Sequence, residues 1–281
     1  MIEERKVKEF YDSVAELYDL PGTLYDEDLY MIYEREIRSI EPPGDLILDI
    51  GCGTGFPGLI FLAEKGKDVC FLDVSAEMLR ILRDKIRKTG IEMRRGGIIL
   101  ASADRLPIRS GIFDMTFSIG GVINHLKFFH EGIKEMLRIL RSNGMFMLEF
   151  ENWKCIDTLW RVIGIYGKDA AKKTIRELLK KDEVKIMEFV YSEQGKDFLI
   201  SQYYFSVNVI RRLLSDQGGK ILRMQGMHVF APLIPPRFLR KARGFLLRAY
   251  LKIMGKLEDL LCRNNKLSDF GESIIIIGKK K

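Results

Sequence analysis

Cysteine is scarce and long apolar runs are missing in this chain of 281 residues. The four cysteines include no C-x-x-C pair, so we expect no zinc ribbon, no metal site and no disulfide framework. A chain without disulfides suits the reducing cytoplasm, which is the expected location. No stretch approaches the roughly 20 apolar residues that a membrane-spanning helix requires. The first residues are charged, which is not the pattern of a secretory signal.

Hydrophobic residues make up 47% of the chain and charged residues 30%, a balance typical of a folded globular protein. This composition excludes a disordered tail and a membrane bundle. The length is near the size at which a single core stops growing, so we expect one large domain, or one domain with accessory segments. The formal net charge is +7, which is compatible with a nucleic-acid or membrane-surface partner.

Apolar strands alternate with amphipathic helices between residues 46 and 150. This alternation predicts parallel β-α units with helices on both faces of a sheet, so the fold class is α/β and doubly wound. The predicted strands cover 46–50, 68–72, 97–101, 113–118 and 144–150, and the predicted helices cover 56–65, 75–88 and 128–140.

The segments on either side of this unit have different patterns. Two predicted helices come first, broken at Pro21-Gly22, and the second of them covers 28–40. A mainly helical stretch over 153–183 then leads into a β-hairpin over 184–205. The chain then continues with a helix over 208–215, a strand over 220–230, a long helix or helix pair over 237–263, and a final strand over 273–278. We therefore expect an N-terminal helical cap (1–44), a core (45–151), an inserted substrate lid (152–206) and a C-terminal part of the core (207–281).

The glycine-rich segment 49–55 follows the first strand and opens a helix, which is where α/β sheets bind nucleotides. Asp73 closes the second strand, where a carboxylate can accept both ribose hydroxyls of an adenosine. Residues 53–58 also match G-x-G-x-x-G, so an NAD(P)-dependent oxidoreductase is an alternative. Asp49 directly precedes the glycines and would repel a pyrophosphate, so it favours a positively charged cofactor.

The segment 48–55 resembles motif I of the class I S-adenosylmethionine-dependent methyltransferases. Further blocks at 69–75, 102–107, 113–118 and 137–144 resemble the same family, so the likeness extends through 46–150. Phe10-Tyr11-Asp12 and Tyr18-Asp19 are similar to the opening of its ubiquinone/menaquinone-biosynthesis subgroup, whose N-terminal helices fold over the cofactor. The resemblance implies a Rossmann-like, mainly parallel, seven-stranded sheet with an antiparallel last strand.

The resemblance also implies a cofactor, S-adenosyl-L-methionine, and a product, S-adenosyl-L-homocysteine. The residues that it assigns to the cofactor are Tyr11, Tyr18, Asp49, Gly51, Gly53, Gly55, Asp73, Val74, Ser102, Ala103, Asp104 and Ile119. Tyr11 and Tyr18 are equally consistent with ordinary aromatic packing. Ser102 departs from the subgroup, which usually has Asp there, and a neutral hydroxyl is a weaker acceptor for the adenine amine.

Asn124-His125 follows the fourth strand, where the resemblance places the acceptor substrate. An oxygen or nitrogen acceptor must lose a proton during transfer, and His125 is the predicted general base. A histidine that is packed and hydrogen-bonded at a helix start is the alternative. Ile119-Gly120-Gly121-Val122 lacks the N/D-P-P-Y/F tetrapeptide, which argues against amino methylation of nucleic-acid bases.

The aromatic residues of the predicted lid suit an apolar or lipid-like small-molecule acceptor, although core packing explains them equally well. They are Trp153, Trp160, Tyr166, Phe189, Tyr191, Tyr203, Tyr204 and Phe205. An RNA or protein methyltransferase, and a protein that binds the cofactor without catalysis, stay open as alternatives.

The positive charge is concentrated in residues 237–266, which contain nine Lys or Arg and two Asp or Glu. The rest of the chain is therefore nearly neutral. Leu239, Ala242, Leu246, Tyr250, Ile253, Leu257 and Leu260 mark one face of this amphipathic insertion, and Lys241, Arg248, Lys252, Lys256 and Arg263 mark the other. Three interpretations are open: a membrane contact, an RNA contact, or an apolar face packed on the domain with a solvated basic face.

Overall fold

The computed structural model describes residues 2–166, 183–193, 195–239, 241, 244–262 and 266–281. Its strands are β1 (Leu46–Ile50), β2 (Asp68–Asp73), β3 (Gly97–Leu100), β4 (Phe113–Ser118), β5 (Leu140–Glu151), β6 (Val184–Glu193), β7 (Lys196–Phe205), β8 (Gly219–Met227) and β9 (Ser273–Lys280). Its α-helices are α1 (Ile2–Val14), α2 (Leu24–Arg38), α3 (Gly58–Ala63), α4 (Ala76–Thr89), α5 (Phe129–Arg138), α6 (Ile156–Tyr166), α7 (Val207–Asp216), α8 (Pro236–Leu239) and α9 (Phe245–Leu261).

Seven strands form one sheet in the order β3-β2-β1-β4-β5-β9-β8. The first five are parallel, and β9 runs antiparallel to both of its neighbours. The predicted doubly wound, Rossmann-like class is therefore confirmed, including its antiparallel last strand. The strand order reverses between β1 and β4, and such a crevice is the usual ligand site of an open α/β sheet.

Side chains alternate between two apolar cores, one on each face of the sheet. In β1, Ile47 packs with α2, α3 and α4, whereas the adjacent Leu48 packs on the face covered by α5 and α7. This two-residue alternation places apolar residues on both faces of β1 and explains why its sequence is apolar except at Asp49.

Several predicted boundaries were wrong by a few residues. The second helix begins at Leu24, not at Asp28, because Thr23 and Asp26 form a capping box. The strand predicted over 144–150 begins at Leu140, since Leu140 already pairs with Phe113 of β4. The helix predicted over 153–183 includes α6, and its remainder up to residue 182 lies outside the described residues.

The predicted hairpin is present as the two-stranded sheet β6-β7. It packs against the cap, because Val7 of α1 shares an apolar cluster with Phe198 and Ile200 of β7. In the described parts of the chain, no helix is long and apolar enough to cross a membrane.

Candidate active site

The loop after β1 lines a cavity, in part with the backbone of two glycines. Gly51 and Gly53 both have positive φ angles, of 69° and 50°, which favour glycine. A Cβ on Gly51 would lie 2.4 Å from Cγ2 of Val122, so any side chain there would collide with the turn after β4. A Cβ on Gly53 would project toward the Tyr18 ring, at 3.7 Å from Cε1. The two glycines therefore let the loop backbone approach Val122 and Tyr18 closely.

Asp73 lies at the carboxyl end of β2 with both carboxylate oxygens held by backbone amides. Gly53 N–H donates to Oδ2 at 2.8 Å, and Ser75 N–H donates to Oδ1 at 2.8 Å. Burial raises the pKa of Asp73, and the two amide hydrogen bonds oppose that shift. Each oxygen keeps a further lone pair, so this fixed carboxylate can accept the two hydroxyls of a ribose.

Asp49 lies behind the loop and does not line the cavity. Its Oδ2 accepts a hydrogen bond from Gly58 N–H at 2.9 Å, at the first residue of α3. Burial raises the pKa of Asp49 well above its usual value. A carboxylate thus occupies the helix N-terminus that would bind a pyrophosphate in a dinucleotide fold, so the loop does not fit NAD(P).

The cavity has a volume of about 1120 Å³ and lies where β1, β2 and β4 end. Of the predicted cofactor residues, its wall includes Tyr11, Tyr18, Gly51, Gly53, Asp73, Val74, Ser102, Ala103, Asp104 and Ile119. Asp49 and Gly55 lie outside it. A Cβ on Gly55 would meet Leu59 and Leu82 at 2.6 and 2.7 Å, so this glycine serves the packing of the loop onto α3 and α4.

The cavity wall is strongly acidic among the described residues. Its acidic members are Glu3, Glu4, Asp19, Asp26, Glu27, Asp73 and Asp104, and its basic members are Arg105 and Lys127. Such a field favours a cationic ligand over an anionic one. The sulfonium and ammonium groups of S-adenosylmethionine fit this wall, whereas the pyrophosphate of a dinucleotide does not.

Two acidic residues of the cap join it to the cofactor loops. Asp12 Oδ1 accepts a hydrogen bond from Ser75 Oγ at 2.6 Å, directly after the Asp73 turn. Asp19 Oδ1 accepts a hydrogen bond from Thr54 Oγ1 at 2.6 Å, inside the glycine loop. Both contacts place α1 and the turn after it over the cavity.

His125 lies in the cavity wall and is held by residues from the cap and the hairpin. Its Nε2 is 3.1 Å from the Tyr11 hydroxyl and 3.4 Å from Nε2 of Gln202. Its Nδ1 is buried without a hydrogen-bond partner in the described structure. Burial lowers the pKa of His125 to about 4, so the imidazole is neutral at pH 7.

The turn that carries His125 is fixed by polar contacts that the sequence did not suggest. Asn124 donates from Nδ2 to the Tyr203 carbonyl at 2.6 Å and accepts from Glu151 N–H at 3.0 Å. Glu149 accepts from Gly121 N–H at 2.6 Å, and burial raises the pKa of Glu149 to about 7. These side chains act on the site by positioning its backbone.

The aromatic side chains of the predicted lid lie elsewhere. No described residue of 152–206 lines the cavity. Trp153 and Tyr204 pack together in a separate cluster, and Phe205 belongs to the main core. The aromatic rings in the wall come instead from the cap, the glycine loop and the turn before α5, as Tyr11, Tyr18, Tyr30, Tyr33, Phe56 and Phe128. The side chain of Tyr166 is not among those that the structure describes.

Comparison with known proteins agrees with this geometry. Residues 47–144 match the family model of the methyltransferase domain. The chain is 29% identical over 228 residues to an uncharacterized protein of Methanocaldococcus jannaschii, covering 81% of each chain. It is 30% identical over 174 residues to the ubiquinone/menaquinone biosynthesis C-methyltransferase of Chromobacterium violaceum, covering 58% of this chain and 70% of that protein. For several other C-methyltransferases of the same description, the match to this chain covers only 57 to 65% of their length.

A solved S-adenosylmethionine-dependent methyltransferase from Mesorhizobium loti has the same fold. Its TM-score is 0.53 at 15% identity, and the match covers 88% of this chain and 96% of that one. Fold, site and relatives together define an enzyme that uses S-adenosyl-L-methionine and yields S-adenosyl-L-homocysteine. The chain belongs to the class I S-adenosylmethionine-dependent methyltransferases.

Proposed function

We propose that this enzyme methylates a small, largely apolar acceptor molecule. The observation that carries this proposal is the covered cavity of about 1120 Å³, which exceeds the roughly 300–1,000 Å³ of common ligand sites. A volume of this size accommodates a small acceptor beside the cofactor. The helical cap lies over the cavity, which disfavours a folded macromolecular acceptor.

The acceptor end of the cavity is expected near His125. Val7, Tyr11, Val122, Leu126 and Phe128 line this part of the wall and offer a mainly apolar surface. The C-methyltransferase relatives are described by their role in ubiquinone and menaquinone biosynthesis, and an apolar acceptor is consistent with that likeness. The acceptor of this protein is proposed only by its chemical class.

When bound, S-adenosylmethionine supplies a methyl group on a sulfonium leaving group. Asp73 would hold the ribose, and the backbone at Gly51 and Gly53 would surround the methionine part. Ile119 and Gly120 would lie beside the acceptor and exclude water. The contribution of these residues is alignment, because in-line displacement needs the reacting atoms within about 3–3.5 Å.

An oxygen acceptor also has to release a proton. We assign its removal to Tyr11 and His125 acting together, because both line the cavity and the Tyr11 hydroxyl is 3.1 Å from Nε2 of His125. The acceptor proton passes to the Tyr11 oxygen while the Tyr11 proton passes to Nε2 of His125. A weak base suffices, since a hydroxyl becomes strongly acidic once its oxygen is methylated.

Incubation with labelled S-adenosylmethionine and fractionated cell extract tests the proposal. We expect label in the organic-soluble fraction and none in RNA or protein. The Asp73→Asn variant serves as the control with weakened cofactor binding and should incorporate less label at low cofactor concentration. Label in the RNA or protein fraction would favour the macromolecular alternative. Tight cofactor binding with no labelled fraction would identify a non-catalytic binding protein.

A further inference from the structure

An apolar stripe lies on the solvent side of α9. It consists of Leu246, Ile253, Leu257 and Leu260, whose exposed fractions are 83%, 55%, 38% and 78%. Their spacing of seven, four and three residues places them on one helical face. Monomeric proteins rarely leave so contiguous an aliphatic face uncovered, so this stripe is a candidate interaction site.

The stripe is part of the apolar face that the sequence pattern marks in this insertion. Leu239 and Tyr250 of that face pack on the domain, whereas the four residues of the stripe are exposed. Leu247 and Leu251 form the buried face and pack against Tyr25 of the cap. Glu258 fixes the rotation of the helix, because its carboxylate accepts hydrogen bonds from the backbone amides of His228 and Phe230 at 3.1 and 2.8 Å. The stripe therefore stays directed outward.

A row of cations flanks the stripe. Arg248, Lys252 and Lys256 are all exposed and follow one another at four-residue intervals. Lys256 comes three residues after Ile253 and four before Leu260, so it borders the stripe directly. The two acidic residues of α9 are both engaged, since Glu258 binds backbone amides and Asp259 pairs with Arg35 at 2.7 Å. The positive charge of the row is thus not neutralised within α9.

We propose that α9 docks the enzyme on a bilayer that contains anionic phospholipids. The stripe enters the boundary between headgroups and acyl chains, and the basic row contacts the lipid phosphates. Helices with one apolar and one basic face lie in the plane of a membrane. Their binding strength comes from the apolar area that they bury and from attraction between the basic residues and anionic lipid. Lysine and arginine suit the flank, because their aliphatic stems follow the apolar surface while their charges stay at the headgroups.

Two other occupants fit the surface less well. RNA uses basic groups and aromatic stacking, whereas Leu246, Ile253, Leu257 and Leu260 are aliphatic. A second copy of the chain, packed stripe to stripe with its α9 antiparallel about a two-fold axis perpendicular to the helix, would bring the two basic rows to the same side of the contact, where they repel each other. The combination of aliphatic stripe and unneutralised cations is complementary to an anionic bilayer.

Vesicle flotation of the full-length protein tests the proposal, with phosphatidylcholine vesicles prepared with and without phosphatidylglycerol. The wild type is expected to float with the anionic vesicles and to be released by salt. The triple variant Leu246→Ser, Ile253→Ser, Leu260→Ser should lose binding about tenfold or more. The matched control Ile186→Ser, Val190→Ser changes exposed aliphatic residues of β6 and should bind like the wild type.

Affinity for S-adenosylhomocysteine shows that each variant is folded, and this measurement also separates failure of docking from failure of the methyltransferase site. Equal flotation of the stripe variant and the wild type would overturn the proposal. The proposal would also be overturned if the wild type bound an RNA oligonucleotide but not anionic vesicles. It would likewise be overturned if the wild type were a dimer and the stripe variant a monomer.

Discussion

The hydroxyl oxygen of Tyr11 lies 3.1 Å from Nε2 of His125, across 114 positions of sequence. One partner belongs to the first helix and the other to the turn after β4. Because burial lowers the pKa of His125 to about 4, its neutral ring is available to accept the Tyr11 proton. The contact thereby couples closure of the cap to the proposed proton transfer.

Replacing Tyr11 by Phe should lower kcat by about 10²-fold or more, because the relay loses its middle group. The affinity for S-adenosylhomocysteine should change less than the turnover. Tyr18→Phe is the matched control, since Tyr18 lines the same cavity without contacting His125 through a described hydrogen bond. Equal kcat values for Tyr11→Phe and the wild type, measured with labelled cofactor and the responsive extract fraction, would remove Tyr11 from the mechanism.

Replacing Asp73 by Asn should weaken S-adenosylhomocysteine binding by about ten- to a hundredfold, as expected when a hydrogen bond to a charged group is lost. Titration calorimetry measures the affinity. Thermal unfolding is needed beside it, because Asp73 also binds the amides of Gly53 and Ser75. Asp45→Asn is the control. Asp45 directly precedes β1, at the end of that strand away from the cavity, so its replacement is expected to leave the affinity unchanged. A wild-type affinity in Asp73→Asn would refute the ribose assignment.

Replacing Gly51 by Ala should destabilise the protein by about 2–4 kcal/mol, from left-handed strain and from overlap with Val122. Gly66→Ala is an informative control, because Gly66 has a similar φ of 62° but no atom within 4 Å of a new Cβ. It should cost only about 1–2 kcal/mol. Chemical denaturation gives both values, and equal losses would show that contact with Val122 contributes nothing.

Stability should fall as the pH rises from about 6.5 to 9, through the titration of His228. Burial opposes the charge of this ring, but the carboxylates of Asp28 and Glu272 outweigh burial and raise its pKa to about 9. The charged ring stabilises the fold fully at pH values below the pKa of the unfolded state, near 6.5. This stabilisation is lost as the pH rises through the pKa of the folded state. The shift corresponds to on the order of 3 kcal/mol.

Denaturation at several pH values tests this expectation. His228→Gln should flatten the profile between pH 6.5 and 9, whereas His130→Gln, at an exposed position, should leave it unchanged. A wild-type profile that is already flat over this interval would contradict the assignment.

The glycine loop and Asp73 could be predicted from sequence because their signals are local. Tight turns require glycine at Gly51 and Gly53, and an acidic residue that closes a buried strand at Asp73 is visible without a structure. Gln202 had no such signal. Gln202 reaches His125 because the β6-β7 hairpin packs against α1. A contact between segments so far apart in sequence leaves no periodic pattern from which it could be predicted.

The orientation of α9 shows a different limit of sequence analysis. Two apolar stripes with helical spacing run along it, one through Leu246 and Ile253 and one through Leu247 and Leu251. Hydrophobic pattern alone does not distinguish them. Glu258 fixes which stripe is buried, because its carboxylate accepts hydrogen bonds from the backbone after β8.

The hydrogen bonds of Asp12 to Ser75 and of Asp19 to Thr54 join the cap to the two loops that would hold the cofactor. A cofactor that orders the glycine loop and the Asp73 turn stabilises the closed cap, and by reciprocity the closed cap raises the affinity for the cofactor. Tyr11, which lines the proposed acceptor pocket, belongs to the same cap. Binding is therefore expected to be positively cooperative and sequential, with S-adenosylmethionine entering before the acceptor and S-adenosylhomocysteine leaving last.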